Sequence, residues 1–128
     1  MCVKAGAVSL LAILLAAVVT ACASSGTPKT DAYGEKRAVL ESADHVTVEL
    51  MNLQFAPQGV RIKPGTTVTW VNKDEAIHNV SQINSVFLSQ DQVKQGDTFS
   101  FTFDKPGTYR YQCTFHHPNM NGVVIVEE

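Results

Sequence analysis

The C-terminal third of the chain concentrates residue types that bind metal ions. Cys113, His116, His117 and Met120 lie within eight consecutive positions, and His78 stands upstream of them. One thiolate, two imidazoles and one thioether make up the ligand set of a blue-copper electron-transfer site. Because sulfur ligands favour Cu(I) and imidazole nitrogen suits Cu(II), such a centre exchanges single electrons with little rearrangement. The residue types therefore predict a mononuclear copper centre.

Other chemistries explain some of these residues but not all of them. Structural zinc sites prefer sets such as two cysteines with two histidines, and methionine is a poor zinc ligand. A cysteine nucleophile activated by His116 leaves Met120 unexplained, and a lone buried cysteine is often only a small apolar residue. Asp74 and Glu75 precede His78 and are expected to be solvated. A carboxylate ligand in place of methionine is the less favoured alternative.

Short strands with apolar residues at alternate positions are predicted to position these ligands. Phe99, Phe101 and Phe103 share one face of such a strand. Similar alternation recurs along the chain, and no segment of helix length has a 3.6-residue period. The pattern predicts an all-β fold, a small antiparallel Greek-key β-sandwich of six to eight strands. The alternation of apolar residues changes phase near Met51–Asn52, which predicts a β-bulge. Cys113 is expected to end one strand.

The first 21 residues have the pattern of a secretory signal, with one early lysine, a short apolar run and small residues at its end. The apolar run is too short for a typical membrane span. The ending Val19-Thr-Ala-Cys22 resembles a bacterial lipobox. We therefore expect cleavage before Cys22, lipidation of that cysteine, and an exported, lipid-anchored protein on the periplasmic or extracellular face of a membrane. Residues 22–44 are predicted to be a flexible linker before a domain at 45–128.

Composition and cysteine count limit the class of the protein further. A chain of 128 residues with a net charge of −2 fits one domain and argues against a nucleic-acid binder. Its three cysteines are an odd number. Cys2 is expected to leave with the signal and Cys22 to carry lipid, so Cys113 remains as the one thiol of the domain. A Cys22–Cys113 disulfide requires Cys22 to escape lipidation and leaves the histidines unexplained. A monomer is the default expectation.

Four segments of the chain resemble the cupredoxins, the blue-copper proteins, and in particular their plastocyanin-like and amicyanin-like branch. These segments are Val68–Asp74, His78–Val80, the run Phe103-x-x-Pro-Gly-Thr-Tyr-x-Tyr-x-Cys113, and Met120–Gly122. They occur in the family's order and cover roughly residues 46–126. The resemblance implies a β-sandwich that binds one type 1 copper ion and shuttles single electrons between redox partner proteins, with no catalytic activity. The alternative function is a copper carrier or storage protein that delivers copper to an enzyme.

The resemblance also implies a role for individual residues. His78, Cys113, one histidine of the 116–117 pair and Met120 correspond to the copper ligands, and Asn79 to an asparagine that ties the two ligand segments together. His116 preserves the Cys-x-x-His spacing, whereas His117 preserves a His-Pro-x-Met ending. We favour His116 because the turn that leaves Cys113 fixes where the first imidazole can reach. His117 is then a solvent-facing neighbour.

Overall fold

The computed structural model describes residues 31–89 and 92–128. Within these ranges the chain forms one 3₁₀ helix, Glu35–Arg37, and nine strands. The strands are β1 (Val39–Leu40), β2 (His45–Met51), β3 (Gln54–Ala56), β4 (Gly59–Ile62), β5 (Thr66–Asn72), β6 (Ser81–Gln82), β7 (Thr98–Phe103), β8 (Gly107–Gln112) and β9 (Asn121–Val126).

The strands form two sheets that share one core. One sheet has the strand order β1-β4-β9-β8-β6, and the other has the order β3-β2-β5-β7. In the first sheet β8 and β9 are antiparallel neighbours, and Gln112 at the end of β8 pairs with Asn121 at the start of β9. In the second sheet β5 lies between β2 and β7 and ends at Asn72. The residues that follow β5 and β8 are those predicted to bind metal.

The predicted β-sandwich is confirmed, and the structure differs from the prediction in three details. The sheets are mixed, because the pairs β1–β4, β4–β9 and β2–β5 are parallel. The described part of the chain has nine strands, more than predicted, since β1, β3 and β6 are short segments of two or three residues. The change of phase near Met51–Asn52 is a hairpin turn and not a bulge. Asn52 and Leu53 have φ values of 55° and 58°, and Met51 pairs with Gln54.

Aromatic side chains fill the core around Trp70, which is fully buried. The ring centroids of Tyr111, Phe99 and Phe87 lie 5.3, 5.5 and 5.7 Å from that of Trp70. The three phenylalanines of β7 all pack in or against this core, which confirms their predicted common face. Since Trp70 belongs to β5 and Tyr111 to β8, their contact fixes the strands that lead into the metal-binding residues.

The described chain begins before the domain boundary predicted at residue 45. Part of the predicted linker forms secondary structure, since it contains the 3₁₀ helix and β1, and Val39 pairs with Val60 of β4. The predicted signal (residues 1–21) and Cys22 lie outside the described residues, so cleavage and lipidation stay predictions. Within the described ranges no helix combines the length and apolar character needed to cross a bilayer.

Candidate metal centre

Cys113 and Met120 stand at the two ends of the loop between β8 and β9, residues 113–120, which we call the ligand loop. The Cys113 amide donates a hydrogen bond to the Met120 carbonyl at 3.0 Å, so the two ends meet. Both side chains are fully buried. Inside the loop the His116 amide donates to the Cys113 carbonyl at 3.3 Å, and the Met120 amide donates to the His116 carbonyl at 3.2 Å. These turns bring the His116 ring back toward the Cys113 thiol.

His78 reaches the same place from the segment between β5 and β6. Asn72, the fully buried last residue of β5, donates from its amide group to the carbonyls of Ala76 and Val93 at 2.9 and 2.8 Å. The backbones of His78 and Val93 exchange two hydrogen bonds of 3.1 and 2.7 Å. The His78 side chain is fully buried. Its position is therefore fixed by backbone pairing as well as by packing.

The donor atoms of three side chains form a small triangle. His78 Nδ1 lies 3.2 Å from His116 Nδ1 and 3.7 Å from Cys113 Sγ, and Cys113 Sγ lies 3.4 Å from His116 Nδ1. The centre of a triangle with such edges is about 2 Å from each corner, which matches a bond between a first-row metal ion and a histidine nitrogen. The triangle thus has the size of a three-coordinate metal plane.

The structure brings together three of the four residues predicted as ligands. Within the described ranges, His78, Cys113 and His116 form the one group of three histidine, cysteine or acidic residues whose donor atoms converge. Met120 is fully buried at the end of the same loop. His117 is exposed and lies outside the group. The sequence analysis favoured His116 as the ligand and His117 as a solvent-facing neighbour, and the two side chains are placed in this way.

Asp74 lies behind His78, where its carboxylate accepts a hydrogen bond from His78 Nε2 at 2.9 Å. The backbone amides of Asn52 and Leu53 donate to the same carboxylate at 2.7 and 3.0 Å. The expectation that Asp74 is solvated was wrong, since its side chain is 18% exposed. Glu75 is exposed, as expected.

These contacts keep Asp74 charged. Burial by itself would raise the pKa of Asp74, but hydrogen bonds from the Leu53 amide, His78 and the Asn52 amide outweigh it and hold the pKa below 3.8. An ionised carboxylate only accepts hydrogen bonds, so it fixes the His78 proton on Nε2. The lone pair of Nδ1 then faces Cys113 and His116. Asp74 also stabilises the Asn52–Leu53 turn, where both residues adopt the left-handed conformation.

Asn79 connects the two segments that supply the donor atoms. Its side chain donates to Thr114 Oγ1 at 2.7 Å and accepts from the Thr114 amide at 2.8 Å. Asn79 follows His78 and Thr114 follows Cys113, so the two bonds join the residues next to two donor atoms. This is the contact that the sequence resemblance implies for Asn79.

Comparison with known proteins agrees with this geometry. A family model described as copper binding proteins of the plastocyanin/azurin family matches residues 42–127. This chain belongs to that family. Over 101 residues it is 38% identical to amicyanin-alpha of Methylorubrum extorquens, covering 75% of this chain and 84% of that protein. Over 86 residues it is 37% identical to plastocyanin of Scenedesmus fuscus, covering 59% of this chain and 88% of that protein.

A solved structure of a related protein extends the likeness to the fold. The Cu(I) form of an amicyanin methionine variant superimposes with a TM-score of 0.60 at 33% identity, covering 66% of this chain and 84% of that one. The cofactor of this cupredoxin is one type 1 copper ion, in agreement with the family and with the converging donor atoms. The thiol and the two imidazole nitrogens fit copper in both chemical type and separation.

Proposed function

We propose that this cupredoxin carries single electrons between redox partner proteins, with copper held by His78, Cys113, His116 and Met120. The convergence of one thiol and two imidazole nitrogens, 3.2 to 3.7 Å apart, supports this most directly. Bound to such a set, copper supplies a one-electron Cu(II)/Cu(I) couple, because sulfur favours the reduced ion and imidazole the oxidised one. On this proposal the protein has no catalytic turnover of its own.

The chain contributes by holding the donor atoms in one arrangement and by keeping water away from most of them. Cys113, His78 and Met120 are completely buried. Asp74 fixes the ring orientation of His78, and fixed donor atoms keep the structural change between oxidation states small. His116 is only partly buried, and its neighbours Phe115 and His117 are exposed. We therefore place the route of the electron to and from partner proteins at the His116 edge of the centre.

The proposal extends to the location of the protein. The signal-like residues 1–21 and the lipobox-like ending at Cys22 support export and lipid anchoring at a membrane face. Mass spectrometry of the protein recovered from an exporting host tests this part. We expect a mature chain that begins at Cys22 with acyl groups on that residue. An unmodified Cys22, or a mature chain that begins elsewhere, would contradict the anchor but not the electron-transfer function.

Titration of the metal-free protein with Cu(II), followed by visible absorption, tests the copper centre. We expect saturation at one equivalent and an intense absorption band from the Cys113 thiolate, which disappears on reduction. Cys113→Ser is the matched control, since it retains a small polar side chain and removes the sulfur. A wild-type Cu(II) complex without an intense band, or the same spectrum for both proteins, would contradict the proposal.

A further inference from the structure

The segment Asp31–Leu40, which we call the N-terminal strap, lies against the edge of the sandwich close to the ligand loop. Its 3₁₀ helix is followed by β1, which pairs in parallel with β4. A side chain at Gly59 of β4 would place its Cβ only 2.7 Å from the Gly34 carbonyl oxygen. The strap therefore approaches β4 as closely as a glycine allows, and it is a packed part of the domain.

Gln58, the residue before β4, connects the strap to the ligand loop. Its Nε2 donates to the Ala32 carbonyl at 3.0 Å and to Asn121 Oδ1 at 2.9 Å. Its Oε1 accepts from the Arg37 guanidinium at 3.1 Å. Asn121 in turn donates from Nδ2 to the Pro118 carbonyl at 2.8 Å. The Gln58 side-chain amide thus connects Ala32 and Arg37 of the strap to Asn121. Asn121 in turn is hydrogen-bonded to Pro118 inside the ligand loop.

The connection reaches residues proposed to bind copper. Asn121 directly follows Met120, and Pro118 lies between His116 and Met120. We infer that Gln58 is a positioning residue for the ligand loop, and that the strap helps to fix His116 and Met120 through it. This role matters for copper binding only if the proposed function is right. The restraint on the loop is a property of the metal-free chain as well.

A cavity beside Gln58 determines what would take the place of its side-chain amide. A cavity of about 230 Å³ lies between strap and loop, lined by Arg37, Gln54, Phe55, Gln58, Asn119 and Asn121. A cavity of this size holds water. If the Gln58 amide is removed, water takes its hydrogen bonds to Asn121, and water does not transmit the position of the strap. The loop then loses a restraint even though its polar groups stay satisfied.

Gln58→Leu in the full-length protein is the direct test, and Gln54→Leu is its matched control. Gln54 lines the same cavity and is exposed, and its side chain makes no hydrogen bond within the described residues. In the metal-free protein we expect Gln58→Leu to speed amide exchange at Asn119 and Met120 by about tenfold, the equivalent of about one lost hydrogen bond, with the amides of β2 and β5 unchanged. In the copper protein we expect release to a chelator to accelerate by less than the roughly tenfold loss typical of a group bonded directly to a ligand, with a shifted visible band.

Arg37→Ala tests the strap with little risk to folding, since the Arg37 side chain is 71% exposed. We expect the same changes as in Gln58→Leu but smaller, and a double variant close to Gln58→Leu alone, because both act through one connection. Wild-type loop exchange in the Gln58→Leu protein would overturn the inference, as would equal effects of Gln54→Leu. If the wild-type protein takes up no copper, the proposed function fails, and the exchange measurement still decides the role of Gln58.

Discussion

The two sides of the metal centre are held in different ways. His78 is fully buried and its backbone pairs with Val93. Its Nε2 bonds Asp74, and its Nδ1 is one corner of the donor triangle. On the other side, the residues between Cys113 and Met120 are exposed except for His116, which is partly buried. One side of the centre is thus part of the protein interior, and the other is a surface loop closed by backbone hydrogen bonds.

This difference separates two requirements of electron transfer. The interior side sets the position and proton of one imidazole, and on the proposed function this keeps the donor atoms nearly fixed between oxidation states. The loop side brings the other imidazole to the surface, where a partner protein can approach it. Because the residues between the two buried ends of the loop are mostly exposed, we expect the loop to depend on Asn79 and Gln58 for its position. Single substitutions can change the interior side, the loop side, or the contacts that hold the loop in place.

The largest effect is expected from His116→Ala on the loop side. This variant removes one of the three converging donor atoms, so the intense visible absorption of the copper protein should be lost completely. His117→Ala is the control on the adjacent residue, which is exposed, and it should retain the band. Copper titration of both variants provides the measurement. Loss of the band in His117→Ala with its retention in His116→Ala would reverse the assignment.

Asp74→Asn changes the interior side without removing a ligand. The aspartate accepts a hydrogen bond from His78 Nε2, and its charge makes the imidazole a better donor to the oxidised ion. Asparagine retains an acceptor but loses the charge, so the reduction potential should rise by about 60 mV, the one-electron equivalent of a tenfold change.

Voltammetry of the copper-loaded variant measures this shift, and Glu75→Gln is the matched control. Glu75 is an exposed carboxylate next to Asp74. Solvent screens its charge, so its replacement should change the potential much less. A fall in potential for Asp74→Asn, or an equal shift in both variants, would show that Asp74 does not act through His78.

Asn79→Ala breaks the contact between the two sides. The variant loses two hydrogen bonds to Thr114, and water compensates part of the loss because Thr114 is exposed. The free energy of unfolding of the metal-free protein should fall by about 1 kcal/mol. Denaturant titration measures it, with Asn119→Ala as an exposed asparagine control in the same loop. Equal unfolding free energies for the Asn79→Ala and wild-type proteins would argue against this connection.

The smallest effect is expected in the strap, from Asp31→Asn. Hydrogen bonding from the Lys36 amide, with the Arg37 charge nearby, holds the pKa of Asp31 below its ordinary 3.8. A lowered pKa in the folded state means that the ionised carboxylate stabilises the fold above pH 3.8, and that this contribution disappears as the pH falls through the lowered value.

Thermal unfolding at several pH values tests whether the Asp31 carboxylate stabilises the fold at neutral pH and not in acid. The melting temperature of Asp31→Asn should lie slightly below that of wild type at pH 7, and the difference should vanish in strong acid. Asp104→Asn, at an exposed carboxylate far along the sequence, is the matched control. A wild-type melting temperature for Asp31→Asn at pH 7 would mean that the Asp31 carboxylate does not secure the strap.

The sequence predicted the features that depend on local pattern. Alternation in β7 placed its three phenylalanines on one face, and that face packs in or against the core. Cys113 was expected to end one strand, and the structure places it directly after β8, as the first residue of the ligand loop. The spacing Cys-x-x-His also identified His116 as the imidazole that turns back toward the thiol, and the structure places it there.

Contacts between distant segments were not predictable in this way. Asp74 stands four residues before His78, but its burial depends on the Asn52–Leu53 turn, which comes from another strand pair. The strap has no apolar period, and polar contacts hold it: backbone pairing with β4 and hydrogen bonds from Gln58, Arg61 and Arg110. The turn after Met51 changes the phase of alternation as a bulge does, and the positive φ angles that distinguish the two are not visible in the residue types.

Voltammetry of the copper-loaded wild-type protein in the presence of excess chelator tests the central claim most directly. Electron transfer requires that the four donor side chains retain copper in both oxidation states, whereas a copper carrier must release it. We predict a reversible one-electron wave of constant amplitude over repeated cycles, with no copper appearing on the chelator. Loss of the wave, with transfer of copper to the chelator after reduction, would contradict the electron-carrier function and support copper delivery instead.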